Sequence, residues 1–207
     1  MFKQTKTRGR PKDTQKTLNI LVAARKLFLE KGIDVTNEEI CQKAEVAKAT
    51  LYTHFKDKAS ILEAVILNES TLTFSNKDYE LSKEKPVRTS LEIFGIKYLT
   101  FVNNRELLRW DRLIAETSLI YPNMPAHFFN AGPARGQNFL IAIISDAISK
   151  QELKVIDAQI AADNLNGLWL GFKHLEIRLG ITLPLNEDQI KFKVLNGIEV
   201  FMSAYKP

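Results

Sequence analysis

TNEEICQKAEVAKATLYTHF, residues 36–55, reads as two short helices folded about a tight turn. Thr36 followed by Glu39 is a capping box: the hydroxyl accepts from an orphan amide of the first turn, and the carboxylate accepts from the cap's own N–H. A helix therefore starts there, with Ile40 and Ala44 four apart on one face and Glu38, Gln42 and Lys43 pointing elsewhere. After Glu45 and Val46 a second helix is predicted over about 47–55, with Leu51 and Phe55 turned inward beside Val46. At about 100° per residue, Ala49 and Thr53 fall roughly opposite Leu51, flanked by Thr50 and Tyr52, with Lys48 at the entrance.

That outward face has the chemistry of a groove reader, because hydroxyls bond base edges or phosphate and a small methyl packs on thymine. An ordinary solvated helix pair has the same spacing, and the flanking charge favours DNA. Residues 1–60 hold 13 Lys/Arg against 7 Asp/Glu, a balance of +6, whereas residues 61–207 hold 16 against 17, a balance of −1. Within the basic part, KQTKTRGRPK has Lys3, Lys6, Arg8, Arg10 and Lys12 with no acid, and Gly9 and Pro11 are expected to keep it extended. Residues 1–12 thus read as a flexible basic arm that lies along phosphates or enters the minor groove; taken alone, a solubilising tail fits equally.

With these residues in place, the run from Thr14 to about Thr73 resembles the DNA-binding domain of the TetR/AcrR family of transcriptional regulators. The resemblance rests on AARKLFLEKG at residues 23–32, then Thr36, Ile40, Ala44, Val46, KATLYTHF at residues 48–55, and Lys58. Two positions depart from the family pattern: Glu45 stands where glycine is common and Ala47 where serine is. Glycine reaches positive φ at little cost, so Glu45 is expected either to bend the backbone differently or to strain it, and Ala47 lacks the cap that serine would give the second helix. The resemblance implies a domain over residues 13–73, in which Thr36, Lys58, Tyr52 and His54 meet the DNA backbone and Lys48, Ala49, Thr50 and Thr53 lie nearest the bases. His54 alone reads equally as a packing residue, with no second metal-type ligand near it.

The remainder, residues 74–207, reads as helix throughout, so the fold class is all-α: a three-helix N-terminal domain followed by a helical ligand-binding and dimerisation domain. Asp57 is placed to cap a fourth helix that ends near SNKD, residues 75–78, and Pro86 suits the first turn of the next. YPNMPAHFFNAGP, residues 121–133, carries three prolines and reads as a break followed by a restart near Pro133. Ala161, Leu165, Leu168, Phe172, Leu175 and Leu179 then alternate spacings of four and three. Ile190, Val194, Ile198, Phe201 and Tyr205 form a similar stripe after GITLPLNED.

Both stripes could fill the subunit's own core or pair with a twofold mate. The family resemblance implies a dimer built by this region, with Leu168, Phe172, Leu175, Leu179, Val194, Ile198 and Phe201 at the interface. Gly167 and Gly171 are expected to mark a close helix approach. Tyr98, Phe101, Trp110, Phe128, Phe129, Trp169 and Phe172 are the candidate lining of a pocket for a small apolar effector, although aromatics at helical spacing are commonly core. The segment from Arg112 to Pro133 resembles the ligand domain of AefR-like members. Arg112, Glu116 and His174 could add polar specificity there or form surface ion pairs.

Composition bounds the alternatives. A chain of 207 residues with 45% apolar side chains can bury two small cores. It shows no run of about 18 apolar residues and no signal peptide, so a cytoplasmic location is expected. Cys41, the single cysteine, has no partner for a disulfide or a metal site, and no metal or cofactor is expected. A nucleophile elbow, a Walker loop, a Rossmann fingerprint, HExxH and paired CxxC are all missing from the sequence. The reading is a ligand-responsive DNA-binding regulator, most simply a repressor that binds palindromic double-stranded DNA as a homodimer. A constitutive DNA-binding protein without an effector and a helical enzyme are the alternatives.

Overall fold

The computed structural model describes residues 10–73, 80, 82–154 and 157–207, and among these no strand occurs. Helix α1 (Arg10–Lys31) leads through a 3-10 turn (Gly32–Asp34) into α2 (Asn37–Ala44), α3 (Lys48–His54) and α4 (Lys58–Thr73). There follow α5 (Val87–Val102), α6 (Arg105–Thr117), α7 (Met124–Ala131), α8 (Pro133–Ser149), α9 (Ala158–Arg178) and α10 (Glu187–Tyr205). No helix among the described residues is long and apolar enough to cross a membrane.

The first helix corrects the reading of the arm. Residues 10–12 belong to α1 rather than to an extended tail. Proline is compatible with this because a first-turn N–H has no intrahelical partner to lose. The rest of the basic arm, residues 1–9, and the SNKD stretch at 75–78 lie outside the described residues.

The proline-rich segment also holds more helix than its sequence suggests. Helix α7 forms inside it with Pro125 in its first turn, and α8 starts on Pro133 by the same device. Asp57 caps α4, since its carboxylate accepts from Ser60 N–H at 2.8 Å. Asn186 and Gln189 form a reciprocal capping box at the start of α10.

Two cores form. One gathers Ile20, Ala24 and Phe28 of α1, Ile40 of α2, Leu51 of α3, and Leu62 and Val65 of α4. It also takes Trp110, Leu113 and Ile114 of α6 and Met124 and Ala131 of α7, so packing crosses the boundary that the sequence suggests at 73/74. The second core joins Leu91 and Phe94 of α5, Leu140 and Ile144 of α8, Leu165 and Trp169 of α9, and Val194, Ile198 and Phe201 of α10.

Trp169 is fully buried, and its indole N–H donates to Val194 O at 3.2 Å. Two glycines make room for it. A Cβ on Gly197 would lie 2.6 Å from Trp169 Cδ1, and one on Gly95 would lie 2.8 Å from Trp169 Cζ2. These are the close approaches within the subunit. An added Cβ on Gly167 would meet nothing within 4 Å, and Gly171 serves a different purpose: φ 53°, ψ −167° places it in a region essentially reserved for glycine, kinking α9.

The buried notch fixes the sign of one substitution. In an exposed helix, Gly→Ala gains up to about 1 kcal/mol, whereas Gly197→Ala drives a methyl into the indole and should cost about 1–3 kcal/mol. A urea titration should show a lower midpoint; a raised one would mean that the Trp169 contact is not tight.

Candidate nucleic-acid interface

The interface begins with the capping box at α2. Thr36 Oγ1 accepts from Glu39 N–H at 3.2 Å, and Glu39 Oε2 accepts from Thr36 N–H at 2.8 Å. Lys31 Nζ lies 2.5 Å from the other carboxylate oxygen. The lysine contact first, then the Thr36 amide and hydroxyl, hold the Glu39 carboxyl down at about 2. This carboxylate is committed to structure.

Of the two outcomes open for Glu45, the turn between α2 and α3 takes the strained one. Glu45 adopts φ 56°, ψ 42°, the left-handed region, and its N–H bonds back to Cys41 and Gln42 carbonyls. Ala47 occupies the cap position of α3 in extended geometry with no side-chain bond to give. What keeps α3 in place is burial: Leu51 and Phe55 sink into the first core, with Val46 packed at its edge.

Once Leu51 and Phe55 face inward, the rest of α3 faces out. Lys48, Ala49, Tyr52 and Thr53 are exposed, Thr50 and His54 are half-buried, Thr36 is exposed beside them, and Lys58 is half-buried at the start of α4. Tyr52 OH accepts from Asn37 Nδ2 at 3.1 Å, which leaves the phenolic proton available to a phosphate. Thr53 Oγ1 donates to Ala49 O at 2.7 Å, so its remaining lone pair presents an acceptor outward, suited to a base amino group.

Two cations already hold partners within the head. Lys58 Nζ donates to Ile33 O at 2.8 Å, tying α4 to the 3-10 turn, and its other N–H groups remain for an anion. Lys48 Nζ lies 2.5 Å from Glu38 Oε1. His54 Nδ1 is 3.4 Å from Thr17 Oγ1 on α1, a tether between helices. Among the described residues no cluster of His, Cys, Asp or Glu could hold a metal ion. Cys41 is buried, which pushes its thiol up.

The candidate effector residues do not converge. Trp110 is buried in the first core, with Phe128 packed on its margin. Trp169 belongs to the second core, with Tyr98 and Phe101 against it, and Phe129 and Phe172 are exposed. A single cavity lined by all seven is therefore not what the fold builds, because α6 and α7 turn their apolar sides to α1 and α4 rather than to α9. What does assemble is an aromatic stack that the sequence did not single out: Phe94 lies 5.6 Å from Tyr98, 5.5 Å from Phe139 and 6.0 Å from Trp169. Arg112 and Glu116 pair with each other at 2.7 Å on the surface.

The candidate dimer residues divide just as clearly. Leu168, Phe172, Leu175 and Leu179 are exposed along α9, Phe172 to 85%. Val194, Ile198 and Phe201 are buried in the subunit's own second core and cannot meet a partner. The uncovered apolar side chains of α10 are instead Phe192, 73% exposed, and Val200. A seven-residue apolar repeat looks the same whether it faces a neighbour in the chain or a mate.

Family models cover both halves of this architecture. Residues 20–65 match the bacterial regulatory proteins of the tetR family, and residues 89–207 match the C-terminal domain of AefR-like transcriptional repressors. The chain belongs to the TetR family. It is a DNA-binding transcriptional regulator and not an enzyme.

The HTH-type transcriptional regulator YdeS of Bacillus subtilis (strain 168) is 43% identical over 65 residues, which are 31% of this chain and 33% of YdeS. The Transposon Tn10 TetC protein of Escherichia coli is 29% identical over 168 residues, 77% of each chain. Among solved structures, a TetR-family regulator from Mesorhizobium loti MAFF303099 superposes with a TM-score of 0.82 over 96% of this chain and all of its own, at 22% identity. The flavonoid-responsive regulator FrrA superposes at 0.71, 27% identical, covering 94% of this chain and 98% of that one.

This regulator therefore carries two correctable local costs in its reading head. Glu45→Gly removes the side chain from a left-handed position, and Ala47→Ser supplies the missing cap, each with an expected gain of about 0.5–1 kcal/mol. Thermal denaturation should show each variant melting a few degrees higher, by roughly 2–4 °C per kcal/mol at this chain length.

Proposed function

We propose that the protein is a homodimeric, ligand-responsive repressor that binds a palindromic operator in the cytoplasm and is released by a small apolar effector. The observation that carries this reading is the pairing of two uncovered faces. A polar, hydroxyl-bearing face of α3 stands in the basic head, and an apolar face of α9 and α10 carries Phe172, Leu175, Leu179 and Phe192.

A twofold axis through the second face presents two copies of α3 to one side of a duplex, about 34–36 Å apart where they read successive turns. Thr36, Tyr52, His54 and Lys58 meet phosphates; Lys48, Ala49, Thr50 and Thr53 face bases. The effector acts by binding better to an arrangement in which the heads are mis-spaced, which lowers DNA affinity by the same coupling factor.

We place the effector among Tyr98, Phe101 and Trp169, where Phe94 and Phe139 add two further rings. FrrA is flavonoid-responsive by name, and a flat aromatic molecule suits this set of rings. A constitutive DNA-binding protein is the second reading, favoured by the mutual stacking of the same rings.

Gel-shift titration against duplex DNA from upstream of the protein's own gene tests the core of the proposal. Tyr52→Phe should weaken binding about fivefold per subunit for every sequence, the effect of one lost hydrogen bond of about 1 kcal/mol in each head. Lys58→Ala should in addition flatten the salt dependence by about one unit of slope per subunit. Unchanged affinity in both would remove the phosphate roles. Leu175→Glu should sediment as a folded monomer with poor DNA affinity, and a dimer that survives it would defeat the interface. Phe201→Glu does not test that surface, because a charge there lies in the core and unfolds the body.

A further inference from the structure

The Glu38–Lys48 ion pair joins α2 to α3 across the outer face of the head, 2.5 Å between Oε1 and Nζ, with both side chains 58% exposed. Neither helix depends on it. Thr36 and Glu39 already close the start of α2, and Leu51 and Phe55 anchor α3. An exposed pair of this kind contributes little to folding. The hydrogen bond holds the Glu38 carboxyl below its usual range and the Lys48 ammonium above its own, so both groups are charged at neutral pH.

Such a pair is a handicap for a surface that only has to grip DNA. It places a carboxylate toward a polyanion and occupies a cation that would otherwise neutralise a phosphate. On DNA of arbitrary sequence, a phosphate drawn to Lys48 also meets the Glu38 carboxylate, whose repulsion offsets the gain. At a matched site the outcome differs. An ammonium has three donors, so Lys48 can keep Glu38 on one and offer the others to guanine O6 and N7 in the major groove.

We propose that Glu38 is a specificity-determining residue that suppresses binding to arbitrary DNA by occupying Lys48, while permitting Lys48 to contact a base at the matched site. Glu38 acts through Lys48 and is a positioning residue. The inference rests on the reading that α3 enters the groove.

The test uses the full-length chain and two probes: a duplex of about 30 bp, long enough for two half-sites, enriched by the wild type from a random library, and the unselected library itself. Glu38→Gln keeps the shape and removes the charge; circular dichroism should show it folded, since Glu38 is exposed and outside the capping box. It should bind the unselected library several-fold more tightly, with a salt slope steeper by about 0.9 per subunit for one added phosphate contact. Affinity for the enriched duplex should change less, so the specificity ratio falls. Most of that gain should vanish when Glu38→Gln is made together with Lys48→Ala.

An equal gain with and without Lys48 would mean that Glu38 acts only as bulk charge, and the proposal fails. It fails also if Glu38→Gln weakens the enriched duplex alone, because Glu38 would then read a base itself, or if neither probe responds. A wild type that binds neither probe overturns the groove-reading head, and this inference with it.

Discussion

Trp110, Leu113 and Ile114 lie in the core of the DNA-binding head although they belong to α6, well beyond the helices that make the head in sequence. This burial is the constraint on which the rest depends. Helices α1 to α4 supply most of this core, but a domain of that size is marginal on its own. The apolar sides of α6 and α7 complete it and fix the head to the body in the same contact. A shift of these helices bears directly on α1 and α4, against which they pack, because close-packed side chains transmit displacement rather than absorb it. In the proposed repressor, that is the physical basis on which an effector bound in the body alters the separation of two heads.

The head itself accepts local costs for the sake of its face. Glu45 sits in a left-handed conformation and Ala47 leaves α3 uncapped, yet Leu51 and Phe55 hold the helix where its polar side chains point outward. Hydrogen bonds within the head pre-set those side chains: Asn37 orients the Tyr52 phenol, Ala49 O accepts the Thr53 proton, and Ile33 O accepts from Lys58. In the proposed complex, less rotamer entropy is then lost when a duplex arrives. Glu38 on Lys48 continues the same logic into selectivity, since a cation already satisfied has less to gain from an arbitrary phosphate.

In the body, Trp169 plays the part that Trp110 plays at the head. Its ring fits against Gly95 and Gly197, bringing α5, α9 and α10 close enough for Val194, Ile198 and Phe201 to be enclosed. With one face of α10 thus spent, the apolar groups left uncovered include Ile160, Leu168, Phe172 and Leu175 of α9, Leu179 just past its end, and Phe192 and Val200 of α10. Gly171 kinks α9 just ahead of Phe172. The kink means that α9 presents no single straight seam, so the geometry of any mate is set by two short segments rather than one stripe.

Local chemistry was readable in the chain: the Thr36–Glu39 box, the inward pair Leu51 and Phe55, the exposed face of α3 and the all-helical body. Each is governed by residues within one or two turns of one another, so short-range periodicity and capping suffice. Which partner each apolar stripe meets was not readable there. Val194, Ile198 and Phe201 share their spacing with a dimer seam, and Trp110 and Phe128 share theirs with a pocket lining, yet the fold assigns the first three to the subunit's own core and the other two to the head. Periodicity specifies only that a face must be buried. What buries it depends on contacts between residues distant in sequence, which the packing of α5 to α10 alone decides.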